Sequence, residues 1–334
     1  MGKIKMTGGE LRDIRQQKEM TQGQFAEFLN QLLNRNYDET LVNKFENGAR
    51  EIPDRVVEKL REHQAGQSGG DRAAEHTVGG TKIIAVTNQK GGVGKTATSV
   101  NLSYVLSAMG KKTLLVDFDS QANATTNLGF SWTALEKEQK TLYYSLLEDK
   151  PLSDILIEYN DNLHLLPSSV TLAKADVQLI HVINPHSVLR DLLEGVKDEY
   201  DAILIDCPPH LGFMTSNALI AATHVLIPCE TATASIMGIN QLLEQVKAVK
   251  TRANPGLKFL GILPTLYSKG ENESKESLDQ IHRDYQFVPI FEPIPRATIY
   301  KQCYSRGVIA LEYNPDIPGG EVYREIARTA MGDQ

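Results

Sequence analysis

Between Lys82 and Ser99 the chain reads K-I-I-A-V-T-N-Q-K-G-G-V-G-K-T-A-T-S, with Gly91, Gly92 and Gly94 inside four residues and Lys95-Thr96 directly after them. Glycine has no Cβ, so backbone N–H groups in such a loop can turn inward and close on an anion. A lysine and a hydroxyl at its end suit the outer oxygens of a polyphosphate and a Mg²⁺ ion. The expected phosphate cradle is the backbone of Gly91, Gly92, Val93, Gly94, Lys95, Thr96 and Ala97. Lys95 would reach the β/γ oxygens and Thr96 would ligate the metal. Carboxylates come from two further places: Asp117 and Asp119 in D-F-D-S-Q-A-N-A-T, and Asp206 in Y-D-A-I-L-I-D-C-P-P. Asp206 closes an apolar run and is suited to reach Mg²⁺, usually through water.

These groups can meet only if the runs before them are parallel strands of one sheet, whose carboxyl ends share an edge. Apolar runs at Lys82–Thr87, Thr113–Val116, Leu163–Leu166, Tyr200–Asp206, Thr223–Pro228 and Leu257–Thr265 predict such strands. Helical patterns fill the gaps: Thr96 to about Met109, Thr141–Leu147, Val170–Ile180, Val188–Val196, and a long helix ending near Val249. Strand, glycine loop, Lys-Thr and helix in that order make a P-loop. Trp132 and the pair Tyr143-Tyr144 read as packing.

Composition restricts the function further. The chain has 334 residues, 41% hydrophobic and 23% charged, with net charge −7, so a two-domain globular protein is expected. No run of 18 apolar residues occurs and the N-terminus lacks an apolar region, which predicts no membrane span, no secretory signal and a cytoplasmic protein. Cys207, Cys229 and Cys303 are odd in number and unclustered, as expected of reduced thiols. Contact with nucleic acid would need local patches, because the overall charge repels it.

Residues 1–64 read as a small all-helical domain. Helical spacing occurs in Leu11–Arg15, Phe25–Leu29, Leu41–Phe45 and Val56–Leu60, and Thr21 with Gln24 forms a capping-box pattern. Glu46-Asn47-Gly48 supplies a stop signal and Pro53 a start. Residues 1–65 hold eleven basic and eleven acidic side chains. Residues 65–80 contain five glycines and little to bury, as expected of a flexible tether about 20 Å long end to end.

Two resemblances follow. T-Q-x-x-F-A-x-x-L from Thr21 and V-x-x-x-E-N-G from Val42 resemble the lambda-repressor-like helix-turn-helix family, with the gap between Ala26 and Glu46 about six residues longer than usual. That resemblance implies a phosphate contact for Gln22 and major-groove positions for Thr40, Asn43 and Lys44. Residues 81–331 resemble the ParA/MinD class of ATPases. The loop K-G-G-V-G-K-T has Gln89 where the strict P-loop pattern has its first glycine, and opens on Lys90, as in the deviant Walker A of that class. D-F-D-S-Q-A-N-A-T resembles its switch I with Ser120 for proline, and D-C-P-P its Walker B.

The second resemblance implies a doubly wound, mostly parallel α/β P-loop sheet over residues 81–334, binding ATP and Mg²⁺. In it Lys90 crosses a homodimer interface to the partner's nucleotide, Asp119 orients the attacking water and Asp117 supports the metal shell. Thr265 and the I-P-R segment at Pro295 would border the base, and Lys301 is the basic residue nearest the class's DNA-contacting positions. The paired cysteines of the iron-protein relatives have no counterpart, and Glu321–Met331 lacks a basic amphipathic membrane-targeting pattern.

The function expected is DNA partition by a weak, Mg²⁺-dependent, nucleoid-associated ATPase. It would bind nonspecific DNA as an ATP dimer and be stimulated by a ParB-like partner, with operator binding by the N-terminal domain. Two rivals stay open: a nucleotide-sensing transcriptional regulator, and a ParA-like ATPase that positions a protein cargo.

Overall fold

The computed structural model describes residues 6–18, 20–33, 37–50, 52, 56, 57, 60 and 80–332. The chain divides into two compact units, Met1–Val78 and Gly79–Gln334. The expected tether falls outside the described residues except for Gly80, and Pro53 falls outside them too.

The first unit packs α1 (Gly8–Gln17), α2 (Gln22–Leu33) and α3 (Glu39–Glu46) around Leu11, Phe25, Leu29, Val42, Phe45 and Val56. The Thr21–Gln24 capping box is formed, with Thr21 N donating to Gln24 Oε1 at 2.9 Å and Gln24 N to Thr21 Oγ1 at 3.2 Å. An unforeseen second box joins Thr7 and Glu10. After α3, Gly48 takes φ +70°, a left-handed conformation that suits glycine as a helix stop. The long gap between the motif helices is accommodated by extending α2 to Leu33. Asn30 then closes the turn on both polar groups of Tyr37, at 2.9 Å to its carbonyl and 2.5 Å to its N–H.

Among the described residues of this unit, Glu46 is a buried charge. Glu46 accepts from Arg15 Nε at 2.6 Å and Nη2 at 3.0 Å, and from Gln22 Nε2 at 2.8 Å. Burial alone would push its carboxyl up; the donations from Arg15 and Gln22, with the charges of Arg15 and Arg12, outweigh that and hold it below the usual range. A carboxyl lowered by folding contributes stability above its unfolded pKa, near 4.3. The contribution disappears as pH falls through the lowered value. Glu46→Ala removes one partner of a buried pair and is expected to destabilise this unit by about 3 kcal/mol, read from its urea transition in the full chain at pH 7. The deficit relative to wild type should shrink below pH 4.

The second unit is built on a seven-stranded sheet: β1 (Lys82–Val86), β2 (Thr113–Asp117), β3 (Ile157–Asn160), β4 (Leu163–Leu166), β5 (Ala202–Asp206), β6 (His224–Glu230) and β7 (Lys258–Thr265). Their order is β3-β4-β2-β5-β1-β6-β7. All pairs are parallel except β3–β4. β2 and β5 are buried along their full length, which explains their unbroken apolar runs. Helices cover both faces, among them α4 (Lys95–Ala108), α5 (Asn123–Asn127), α6 (Phe213–Ala221), α7 (Thr233–Arg252), α8 (Asn272–Asp284), α9 (Thr298–Arg306) and α10 (Gly320–Met331).

Two sequence expectations need correction. The expected helix over Val170–Ile180 is broken: a 3₁₀ turn at Val170–Lys174, one α-turn at Ala175–Gln178 and a second 3₁₀ turn at Leu179–His181. Leu172, Ala175 and Leu179 are buried at helical spacing while Val170, Val177 and Ile180 are exposed, so the apolar stripe is there but the backbone follows it in short 3₁₀ and α turns. The antiparallel β3 was not foreseen; it is half-exposed along its length and shows no apolar run. α10 buries Tyr323, Ile326, Ala327 and Ala330 in the core shared with α4. Among the described residues no helix is long and apolar enough to cross a membrane.

Candidate nucleotide site

The register puts the acidic residues together. Asp117 pairs with Asp206 across β2–β5, and Val86 at the end of β1 pairs with Asp206 from the other side. The glycine loop therefore leaves β1 beside both carboxylates. Gly92 and Gly94 have φ +79° and +86°, where an L side chain would be strained. Gly94 caps α4 without a side-chain hydrogen bond, so the first N–H groups of α4 remain available to an anion. Lys95 is buried, and its Nζ donates to the Lys90 carbonyl at 3.0 Å. Burial lowers the pKa of its ammonium, while Asp206, Cys207 and Asp119 act against that.

Each carboxylate has its own set of partners. Asp117 Oδ2 accepts from Thr125 N at 2.8 Å and Thr125 Oγ1 at 2.7 Å. Asp206 Oδ1 accepts from Ser99 Oγ at 3.0 Å, whereas Oδ2 is buried with no hydrogen-bond partner. Burial raises both carboxyls above the usual range, and each feels neighbouring carboxylates as well. A buried carboxylate oxygen with no hydrogen-bond partner, beside a lysine and a phosphate-type loop, suits a cation ligand, and Asp206 with Thr96 fits Mg²⁺. Asp117 Oδ2 is already taken by Thr125, and Oδ1 accepts from Asp119 N at 3.4 Å, so Asp117 fits a supporting role in the metal's surroundings.

This predicts opposite effects on stability and turnover. Asp206→Asn is expected to raise the melting temperature of the nucleotide-free protein by about 2–4 °C, equivalent to about 1 kcal/mol. The same substitution should abolish Mg²⁺-dependent hydrolysis. Calorimetry and phosphate release on one preparation check both.

Asp119 is buried at the start of the loop after β2, with Oδ1 accepting from Gln121 N at 3.0 Å and its carbonyl accepting from Ser168 Oγ at 2.7 Å. Thr265 lies at the carboxyl end of β7 and donates to the Val93 carbonyl at 2.8 Å, so it braces the glycine loop. Pro295 is half-buried in a segment that bonds alongside β7: Ile294 N reaches Pro264 O at 2.9 Å and Arg296 N reaches Tyr267 O at 2.9 Å. Lys301 is exposed on α9. The three cysteines are free and buried.

Lys90 has partners that the sequence did not reveal. Its Nζ donates to Glu230 Oε2 at 2.8 Å and Ser235 Oγ at 2.7 Å. Its N–H donates to Asn88 Oδ1 at 3.1 Å, and Asn88 Nδ2 donates to Pro228 O at 2.8 Å. A carboxylate at the carboxyl end of β6 was the available signal for Glu230. In the N-terminal unit, Thr40, Asn43 and Lys44 share the exposed side of α3, opposite the buried Val42, Phe45 and Glu46. Gln22 donates to Glu46 and, at 3.4 Å, to Asn43 Oδ1.

Sheet order, loop and carboxylates define a P-loop nucleotide-binding α/β protein. A model of the AAA domain family matches residues 81–259. The sporulation initiation inhibitor protein Soj of Bacillus subtilis is 38% identical over 248 residues, covering 74% of this chain and 97% of Soj. The chromosome partitioning protein ParA of Myxococcus xanthus is 38% identical over 260 residues, covering 76% of this chain and 89% of that protein. The chain belongs to the ParA/Soj family of AAA-domain partition ATPases. Among solved structures, cobyrinic acid a,c-diamide synthase from Mycobacterium smegmatis with bound ADP and magnesium is similar at TM-score 0.64 and 33% identity, over 74% of this chain and 92% of that one.

Proposed function

We propose that this protein is an ATP-dependent DNA partition ATPase. Lys95 and the N–H groups at the start of α4 hold the ATP phosphates; Thr96 and Asp206 hold Mg²⁺, with Asp117 behind them. Bound there, Mg²⁺ would offset the negative charge that develops on the phosphates. Asp119 orients the attacking water, the role that a water-positioning residue plays in other P-loop hydrolases. The observation that carries the reading is the buried, partnerless Asp206 Oδ2 beside Lys95 and the glycine loop.

ATP closes a sandwich homodimer in which each Lys90 reaches the other subunit's phosphates. The dimer binds nonspecific DNA, with Lys301 among the contacts. A ParB-like centromere-binding partner stimulates hydrolysis and releases DNA, a population shift driven by the γ-phosphate. The N-terminal unit, through Gln22, Thr40, Asn43 and Lys44, binds operator DNA. The exposed side of α3 supports that assignment.

The test is DNA binding with ATP, ADP and no nucleotide, on random DNA and on DNA from upstream of the gene. Binding to random DNA with ATP alone is expected, plus nucleotide-tolerant binding upstream. Upstream binding without any ATP-dependent random binding would favour the transcriptional-regulator reading instead.

A further inference from the structure

The cluster around Glu230 has a geometry that the reaction as described leaves unused. Glu230 ends β6, opposite Thr265 of β7, and Ser235 lies in the first turn of α7. Both accept from Lys90 Nζ, at 2.8 Å and 2.7 Å, and Ser235 Oγ also donates to Glu230 Oε2 at 3.4 Å. The other carboxylate oxygen, Oε1, faces Arg296 Nη2 at 3.4 Å. The lysine that should serve a second subunit is thus held by its own.

We propose that Glu230 is a positioning residue that latches Lys90 inside its own subunit until nucleotide is bound, so that it sets the ATP concentration at which the dimer closes. This rests on the reading of Lys90 as the residue that crosses between subunits. The latch has two ties to nucleotide. Lys95 Nζ occupies the Lys90 carbonyl at 3.0 Å; phosphates that take Lys95 remove that hold on the Lys90 backbone. Arg296, next to Pro295 in the segment proposed to border the base, remains on Glu230 when Lys90 leaves. The carboxylate then keeps a counter-charge, and unlatching does not strand it. Consistent with a charged acceptor, the Lys90 hydrogen bond, opposed by burial, holds the Glu230 carboxyl below the usual range, with help from the charges of Lys90 and Arg296.

The size of the effect is bounded by exposure. The Lys90 and Glu230 side chains are 35% and 20% exposed, so the pair is screened and its loss should change an equilibrium by about fivefold at most. The experiment measures the ATP midpoint for dimerisation of the full chain by light scattering, with Mg²⁺. Glu230→Gln keeps the shape and drops the charge; it is expected to lower the midpoint about three- to fivefold. Glu230→Asp should lie between it and wild type, and Ser235→Ala should shift the midpoint the same way by a smaller factor. In the Lys90→Ala variant, which still binds ATP as a monomer, Glu230→Gln should leave the ATP affinity unchanged, whereas a merely structural role in the nucleotide pocket would alter it.

Thermal melts identify any variant that fails to fold, and Ser235→Ala then carries the test. An unchanged or raised midpoint in folded Glu230→Gln, with Lys90→Ala unable to dimerise, overturns the latch alone. Normal dimerisation of Lys90→Ala overturns the cross-subunit reading beneath it.

Discussion

Asp119→Ala is expected to bind ATP and to bind DNA in its presence, yet to hydrolyse about 10²- to 10⁴-fold more slowly than wild type. The separation follows from where the side chain sits. Asp119 is held within its own loop, its Oδ1 accepting from Gln121 N at 3.0 Å. Removing it leaves the phosphate cradle, Lys95 and Asp206 in place, so ground-state binding survives. What is lost is a group that acts only while water attacks, and such a loss falls on kcat rather than on binding. Nucleotide binding by fluorescence and phosphate release under saturating ATP give the two numbers. Unchanged turnover would reassign the water-positioning role.

Lys90→Ala should have a comparably large effect by another route. A cation supplied across an interface to the transferring phosphoryl group is worth about 10³ or more in rate. ATP-dependent dimerisation, DNA binding and stimulated hydrolysis should therefore fall together in this variant, while ATP still binds the monomer through Lys95. The substitution also leaves Glu230 with Arg296 and Ser235 as its partners in the cluster. Normal hydrolysis and DNA binding by Lys90→Ala would remove the sandwich dimer from the proposal. The two variants thus have distinct signatures: Asp119→Ala arrests a closed dimer, and Lys90→Ala prevents its closure.

Most of the sheet was legible because β2 and β5 are buried on both faces, which forces an apolar run. The glycine loop was legible because only glycine relieves strain at positive φ, as Gly92 and Gly94 show. The segment over Val170–Ile180 misled only in its continuity: Leu172, Ala175 and Leu179 are buried at helical spacing, and periodicity does not separate one continuous helix from successive 3₁₀ and α turns. Thr265, expected to border the base, donates to the Val93 carbonyl, a contact that the sequence did not reveal because the two residues are far apart in the chain.

By itself, then, the sequence determined which residues could bind phosphate and metal, and which runs had to be strands, since those follow from local sterics and from burial of contiguous apolar residues. The tertiary structure decided the partners. Glu230 and Ser235 on Lys90, Thr125 on Asp117, and Arg15 on Glu46 are side-chain pairings set by strand order and helix packing. The physical reason is distance along the chain: a hydrogen bond between Lys90 and Glu230 spans 140 positions, and no local rule of spacing specifies which of many carboxylates will be brought within 3 Å of a given ammonium.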